Sequence, residues 1–294
     1  MNKETIRVRT ADNVILHTLL TRPSLPSGRP ALLLLHFWGG SNATFTPLIS
    51  HLQDEHKIIA PSLRGWGLST GPDHSDQYHI TDYAGDIIQL LYYLKNQKPD
   101  LLAGGVILVG HSMGGKIAQY LLTRPEVQIL VQGVVLLAPA PIGAFALPTE
   151  QMQEQQIHAY DSTESAAMVF RNVLLGKPDA VEDEAIVMLV RDAVGGYQWA
   201  TRAWPAYGMG EDYEGEVRNA VGIAMPRHLS VLVATGELDR VETPTNVKER
   251  VAELLKAAGA DVSLVDFVSV GHLVPIEAPK AVAEAMLTWM HSSV

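Results

Sequence analysis

Short runs of apolar residues alternate with stretches of mixed polarity along most of the chain. An unbroken apolar run of strand length is typical of a strand that is covered on both faces of a sheet. Strands dominated by such runs are predicted at residues 31–35, 57–60, 105–109, 133–137 and 230–234, and a last strand is predicted at 262–268. Two more runs, 6–9 and 14–20, flank Ala11-Asp12-Asn13, whose residue types favour the turn of a hairpin.

Helical spacing of apolar residues appears between these strands. After the strand at 57–60, one helix face is formed by Tyr83, Ile87, Leu90, Leu91 and Leu94, with Thr81 predicted as its N-cap. Two later helices are predicted from the apolar positions between 247 and 258 and between 282 and 290. Strands that alternate with helices predict an α/β fold whose mostly parallel sheet binds ligands at the carboxyl ends of its strands.

The strand rhythm stops between about residues 141 and 228. This segment has helical character, acidic patches and several aromatic residues. We predict that it is a helical lid inserted into a core domain formed by residues 1–140 and 229–294.

A glycine-bracketed serine lies at the most informative turn. Gly110 and Gly114 flank Ser112 in the spacing G-x-S-x-G, directly after an apolar run and directly before a predicted helix. Glycine lets a strand and a helix approach closely at a strained turn, so this pattern predicts a nucleophile elbow with an exposed hydroxyl.

Two further polar residues follow predicted strands and complete a possible triad. A serine becomes a strong nucleophile when a histidine takes its proton and a buried carboxylate orients that histidine. His272 is the candidate base and Asp239 the candidate carboxylate, in the chain order expected for this architecture. Asp239 could instead cap the helix that starts near Thr243, in which case Glu237 would be the acid.

The developing negative charge on a substrate oxygen requires two hydrogen-bond donors. We predict that these are the backbone N–H groups of Met113, which follows the serine, and of Trp38, in the loop after residues 31–35. The histidines of these loops, His36 and His111, are expected to brace the loops around the site. Phe37, Trp199 and Trp204 are predicted to contact the substrate.

Charge and composition exclude several classes of function. A formal charge of −10 and a pI near 5.5 argue against nucleic acid or an anionic membrane as a partner. The chain has no cysteine, no apolar run that could span a bilayer and no apolar leader segment, so we expect a cytoplasmic monomer or homodimer that acts on a small molecule. His74 and His79, with Asp73 and Asp76, could be metal ligands, but their loop lacks helical spacing and no metal is predicted.

These motifs together resemble the α/β-hydrolase fold, in its lidded group of esterases, lipases and C–C hydrolases. The resemblance rests on residues 35–40, the loop 64–69, the elbow 110–114, residues 236–239, and Gly271-His272 with Glu277 and Pro279 after it. It implies an eight-stranded sheet, a lid after the sixth strand, hydrolysis through an acyl-enzyme and no cofactor.

The chain departs from the family pattern at three positions. Phe37 stands where glycine commonly follows the loop histidine, and Ser62 stands where many members have aspartate. No carboxylate follows the strand that ends at Leu137, an alternative position for the triad acid.

We therefore predict a serine hydrolase that cleaves a small or medium, mainly apolar ester or lactone. Serine at the elbow disfavours the haloalkane and epoxide chemistries that need a carboxylate nucleophile. Two alternatives with the same triad stay open, hydrolysis of a C–C bond and perhydrolysis without a cofactor. A third alternative is a ligand-binding receptor built on the same fold.

Overall fold

The centre of the protein is a twisted sheet. The computed structural model describes residues 2–24, 28–145 and 149–293, except for the side chains of Asn2 and Met152. Within these residues the sheet has eight strands in the order β1-β2-β4-β3-β5-β6-β7-β8. The strands are β1 (Asn2–Ala11), β2 (Val14–Arg22), β3 (Ala31–Leu35), β4 (Ile58–Pro61), β5 (Val106–His111), β6 (Val131–Leu137), β7 (Ser230–Gly236) and β8 (Asp261–Phe267).

Strand direction divides the sheet into an antiparallel edge and a parallel body. Strands β1 and β2 form the predicted hairpin, and β2 also pairs antiparallel with β4. All pairs from β4 to β8 are parallel, so the carboxyl ends of these strands meet at one edge of the sheet. The predicted α/β fold with a mostly parallel sheet is confirmed.

Helices cover both faces of the sheet. Those outside the region between β6 and β7 are α1 (Thr46–Leu52), α2 (Ile80–Gln97), α3 (Met113–Leu121), α4 (Pro125–Gln128), α10 (Pro244–Val247), α11 (Glu253–Ala257), α12 (Val274–Glu277) and α13 (Pro279–Ser293). Helices α10 and α11 are joined by a π-helical turn at Lys248–Ala252. Two clusters of buried apolar side chains result, one on each face of the sheet.

The prediction of Thr81 as the N-cap of α2 is wrong. The N-cap is His79, whose backbone N–H donates to the Asp82 carboxylate at 2.9 Å. The Ile80 N–H donates to Glu211 at 3.0 Å, so an acceptor far along the chain satisfies the first turn of the helix.

A helical region lies between β6 and β7, where the lid was predicted. Its helices are α5 (Glu150–Ile157), α6 (Thr163–Val169), α7 (Asp183–Val194), α8 (Gln198–Ala206) and α9 (Glu214–Asn219), and α6 and α9 each continue into a π-helical turn, at Phe170–Leu174 and Ala220–Ala224. We call residues 149–224 the insert. Its boundaries as a separate domain and its role as a lid stay predictions.

Among the described residues, no helix is long and apolar enough to cross a bilayer.

Candidate active site

Ser112 occupies a strained turn between β5 and α3. Its φ and ψ are 53° and −117°, in a region that non-glycine residues rarely adopt. A Cβ atom on Gly114 would lie 2.1 Å from the Leu35 carbonyl oxygen, and one on Gly110 would lie 2.4 Å from the Gly114 carbonyl oxygen. Both glycines are therefore needed because strand, turn and helix backbones pack directly against one another.

A buried hydrogen bond joins His272 to Asp239. Their Nδ1 and Oδ2 atoms are 2.8 Å apart, and the other oxygen of Asp239 accepts the N–H groups of Val241 and Glu242 at 2.8 and 2.9 Å. The cap of α10 is Thr243, whose hydroxyl accepts the Asn246 N–H. The geometry thus pairs Asp239 with the histidine.

The alternative acid, Glu237, lies elsewhere. Its carboxylate accepts the Ser269 N–H at 2.8 Å at an exposed position. It is therefore engaged at the surface, whereas the Asp239 side chain is buried beneath His272.

Ser112 and His272 line the same cavity. Among the described residues the Ser112 hydroxyl has no hydrogen-bond partner. The backbone N–H groups of Met113 and Trp38 likewise have no acceptor within the described chain. The Met113 N–H lies at the first position of α3, where the helix dipole favours negative charge.

His36 and His111 hold neighbouring loops in place. His36 accepts the Leu63 N–H at 2.8 Å through Nε2, so its Nδ1 donates to the Phe37 carbonyl oxygen. Burial lowers the pKa of His36 to about 4. His111 Nε2 lies 2.8 Å from the His272 carbonyl oxygen, and burial lowers the pKa of His111 well below its usual value. Both rings are therefore neutral near pH 7.

The cavity beside Ser112 has a volume of about 290 Å³ and a largely apolar wall. Its lining residues are Phe37, Trp38, Ser112, Gln155, Gln156, Ala159, Tyr160, Val169, Val173, Leu174, Trp204, Met209, Val241 and His272. Two of the three residues predicted to contact substrate, Phe37 and Trp204, are among them.

The expectation for Trp199 is corrected, because its side chain points away from this cavity. Its indole N–H donates to the Asp73 carboxylate, and the ring lines a separate surface groove with His79 and Tyr207. Positions 199 and 204 of α8 are about 140° apart around the helix axis, so they cannot face the same space.

A comparison with known proteins places the chain. The family model described as "Alpha/beta hydrolase family" matches residues 32–285. The chain belongs to the alpha/beta hydrolase family.

Individual curated relatives match only part of this alpha/beta hydrolase. The protein YfhM of Bacillus subtilis, described as an AB hydrolase superfamily protein, is 35% identical over 102 residues, which are 33% of this chain and 32% of that protein. The match therefore spans about a third of that relative's length.

Among solved structures, a bromoperoxidase from Bacillus anthracis has a TM-score of 0.79 at 16% identity. An esterase from Exiguobacterium antarcticum has a TM-score of 0.78 at 20% identity, and both comparisons cover 98% of this chain and all of the other. At this identity the likeness establishes the shared fold.

Several residues that line the cavity of this alpha/beta hydrolase were not predicted from the sequence. Tyr160, Gln156 and Leu174 come from the insert, and Val241 follows Asp239. No motif surrounds them, because what brings them to the cavity is the packing of the insert on the core. Among the described residues, the buried side-chain oxygen of Gln156 has no hydrogen-bond partner.

Two charged residues, Glu242 and Lys116, are buried in the core of this alpha/beta hydrolase. Burial and the neighbouring charge of Asp239 raise the pKa of Glu242 well above its usual range. Lys116, one turn into α3, has its pKa lowered by burial to about 8. The ionised form of Glu242 is therefore disfavoured by its surroundings.

The loop residues weighed as metal ligands are not grouped together. His79 Nδ1 lies 2.7 Å from Glu211 in the insert, and His74 contacts Asp76. Within the described residues, no group of three or more His, Asp or Glu side chains could hold a metal ion.

Proposed function

We propose that this protein is a serine hydrolase that cleaves small or medium, mainly apolar carboxylic esters or lactones through an acyl-enzyme. One observation carries the proposal. Ser112, His272 and Trp38 line one apolar cavity, Asp239 is hydrogen-bonded to the buried His272, and Met113 directly follows the strained Ser112. The backbone N–H groups of Trp38 and Met113 have no acceptor among the described residues.

In the proposed mechanism, Ser112 Oγ attacks the substrate carbonyl carbon while His272 Nε2 takes the hydroxyl proton. Asp239 holds the opposite ring nitrogen protonated and stabilises the imidazolium that forms. The Trp38 and Met113 N–H groups donate to the oxyanion. His272 then protonates the leaving alcohol, and a water molecule hydrolyses the acyl-enzyme by the same steps in reverse order.

The cavity supports a neutral, compact substrate. Its volume of about 290 Å³ is close to the lower end of the usual range for ligand pockets. The described residues that line it include no Asp, Glu, Lys or Arg, so a charged substrate group would find no counter-charge there. The tryptophan and leucine side chains of the wall favour an alkyl or aryl group beside the ester.

A fluorophosphonate probe tests the mechanism without knowledge of the substrate. The protein, Ser112→Ala and His272→Ala would be labelled, and the adduct would be located by mass spectrometry. We expect an adduct on Ser112 that is absent in Ser112→Ala and forms much more slowly in His272→Ala. No adduct on a protein shown to be folded by circular dichroism would overturn the proposal.

A substrate panel then separates the reaction classes. Neutral esters and lactones of increasing chain length should turn over, with short chains preferred because the cavity is small. Turnover of β-diketones with no turnover of esters would point to C–C bond hydrolysis instead. Labelled Ser112 together with tight ligand retention and very slow release of product would point to a receptor.

A further inference from the structure

Among the described residues, the insert makes three hydrogen bonds to loop 36–41, which carries the Trp38 N–H. The Tyr160 hydroxyl donates to the Trp38 carbonyl oxygen at 3.1 Å, and the Trp38 indole N–H donates to the Thr201 carbonyl oxygen at 3.0 Å. The Ser41 hydroxyl donates to the Asp192 carboxylate at 2.5 Å. The insert thus holds this loop along its length, and Tyr160 is the member that bonds to the backbone of Trp38.

The Tyr160 side chain also packs closely on the loop. Its ring centroid is 4.3 Å from that of Trp38, and it stacks on Phe170 at 6.0 Å. A Cβ atom on Gly39, whose φ is +94°, would lie 2.6 Å from the Tyr160 ring. Ring and backbone are therefore in direct contact, and little space is left for the loop to shift toward Tyr160.

The chemical state of Tyr160 suits a permanent donor. The residue is 4% exposed, and burial raises its pKa above the ordinary value for tyrosine. The hydroxyl therefore keeps its proton throughout the neutral and mildly alkaline range, and its hydrogen bond to Trp38 does not depend on pH there.

We propose that Tyr160 is a positioning residue for the oxyanion hole, acting through the backbone of Trp38. This inference rests on the proposed function. The Trp38 carbonyl belongs to the peptide that follows the N–H donor, so a shift of this carbonyl turns the residue and re-aims its N–H. Because that N–H acts on charge that develops only in the transition state, Tyr160 should affect the rate of the chemical step more than substrate binding.

The substitution Tyr160→Phe removes one oxygen atom and keeps the ring contacts. We expect kcat for p-nitrophenyl butyrate to fall by about tenfold with KM changed by less than about twofold, since losing an oxyanion donor outright costs roughly 10²–10³. The affinity for a trifluoromethyl ketone, which forms a tetrahedral oxyanion with the serine, and the rate of fluorophosphonate labelling should fall by a similar factor.

Tyr207→Phe is the matched control. The Tyr207 hydroxyl also joins the insert to a core carbonyl, that of Ser75 at 2.6 Å, but it lies outside the cavity. We expect its kcat, KM and labelling rate to match those of the parent protein. Thermal unfolding of both variants shows whether each loses a similar amount of stability.

The outcomes separate this inference from the proposed function. Parent protein that labels rapidly on Ser112, with Tyr160→Phe labelling and turning over at the same rate, would overturn the role of Tyr160 alone. An equal loss of kcat in both variants would also overturn it, because the effect would then be general loosening of the insert. Parent protein that does not label at all would overturn the proposed function and this inference with it.

Discussion

Lys116 offers a test of the electrostatics behind the candidate nucleophile. Its side chain is fully buried on α3, where Nζ donates to the carbonyl oxygens of Glu211 at 2.6 Å and Gly143 at 3.3 Å. We expect the protein to become more stable as pH rises from about 8 to about 10.5, through this one group.

The sign and size follow from the two pKa values of the Lys116 ammonium group. Burial lowers its pKa from 10.5 to about 8. The charge of Arg250 adds to this lowering, whereas the carboxylates of Glu211, Asp212 and Glu242 act in the opposite direction. Between these values the unfolded chain still binds the proton that the folded chain has released, so the free energy of unfolding increases with pH. A difference of this size corresponds to about 3 kcal/mol at full deprotonation.

Urea denaturation of the parent protein and of Lys116→Met, followed by circular dichroism between pH 7 and 10.5, measures the effect. Subtracting the two unfolding free energies removes contributions that the variants share. The difference should grow by about 3 kcal/mol in favour of the parent protein across this interval. Parallel curves would refute the reasoning, because they would mean that Lys116 titrates alike in the folded and unfolded chains.

Three further predictions concern the elbow, the histidine loop and the triad. Gly114→Ala should lower the unfolding free energy by more than about 3 kcal/mol, because its Cβ would overlap the Leu35 carbonyl. Gly85→Ala, which has open space inside α2, should raise the unfolding free energy by about 0.5–1 kcal/mol. Urea denaturation measures both changes. Glu277 accepts the Gly271, Leu273 and Gly176 N–H groups, so Glu277→Ala should cost about 3 kcal/mol and speed exchange of those amide hydrogens, as observed by mass spectrometry. Asp239→Asn should keep the fold and slow fluorophosphonate labelling by about 10⁴, and a labelling rate near that of the parent protein would remove Asp239 from the triad.

Strands and the elbow were predictable because local sequence determines them. A short apolar run such as residues 31–35 is typical of a strand covered on both faces, and the structure places β3 at Ala31–Leu35. The elbow was predictable because its close backbone contacts permit only glycine at two positions, and these two glycines appear in the sequence at a fixed spacing. For the same reason the candidate triad followed from polar residues placed just after strands.

Contacts between distant segments were not predictable. The N-cap of α2 was misplaced because Glu211, from the insert, accepts its first N–H group. The direction of the Trp199 side chain was not predictable because the sequence pattern does not show the rotation about α8 that separates Trp199 from Trp204. Each error concerns the insert, whose packing on the core leaves no local pattern.

The Phe37 side chain links the insert to the candidate active site through its contacts with other aromatic rings. Glycine is common at this position in the family, yet Phe37 is 2% exposed, with its ring 5.2 Å from that of His111 and 6.3 Å from that of Phe170 in the insert. The insert therefore supplies part of the pocket that accepts this larger side chain. Since Phe170 also stacks on Tyr160, the same aromatic group that accommodates Phe37 supports the contact to Trp38. Replacing the insert with that of another family member should disturb loop 36–41 even if the triad itself stays intact.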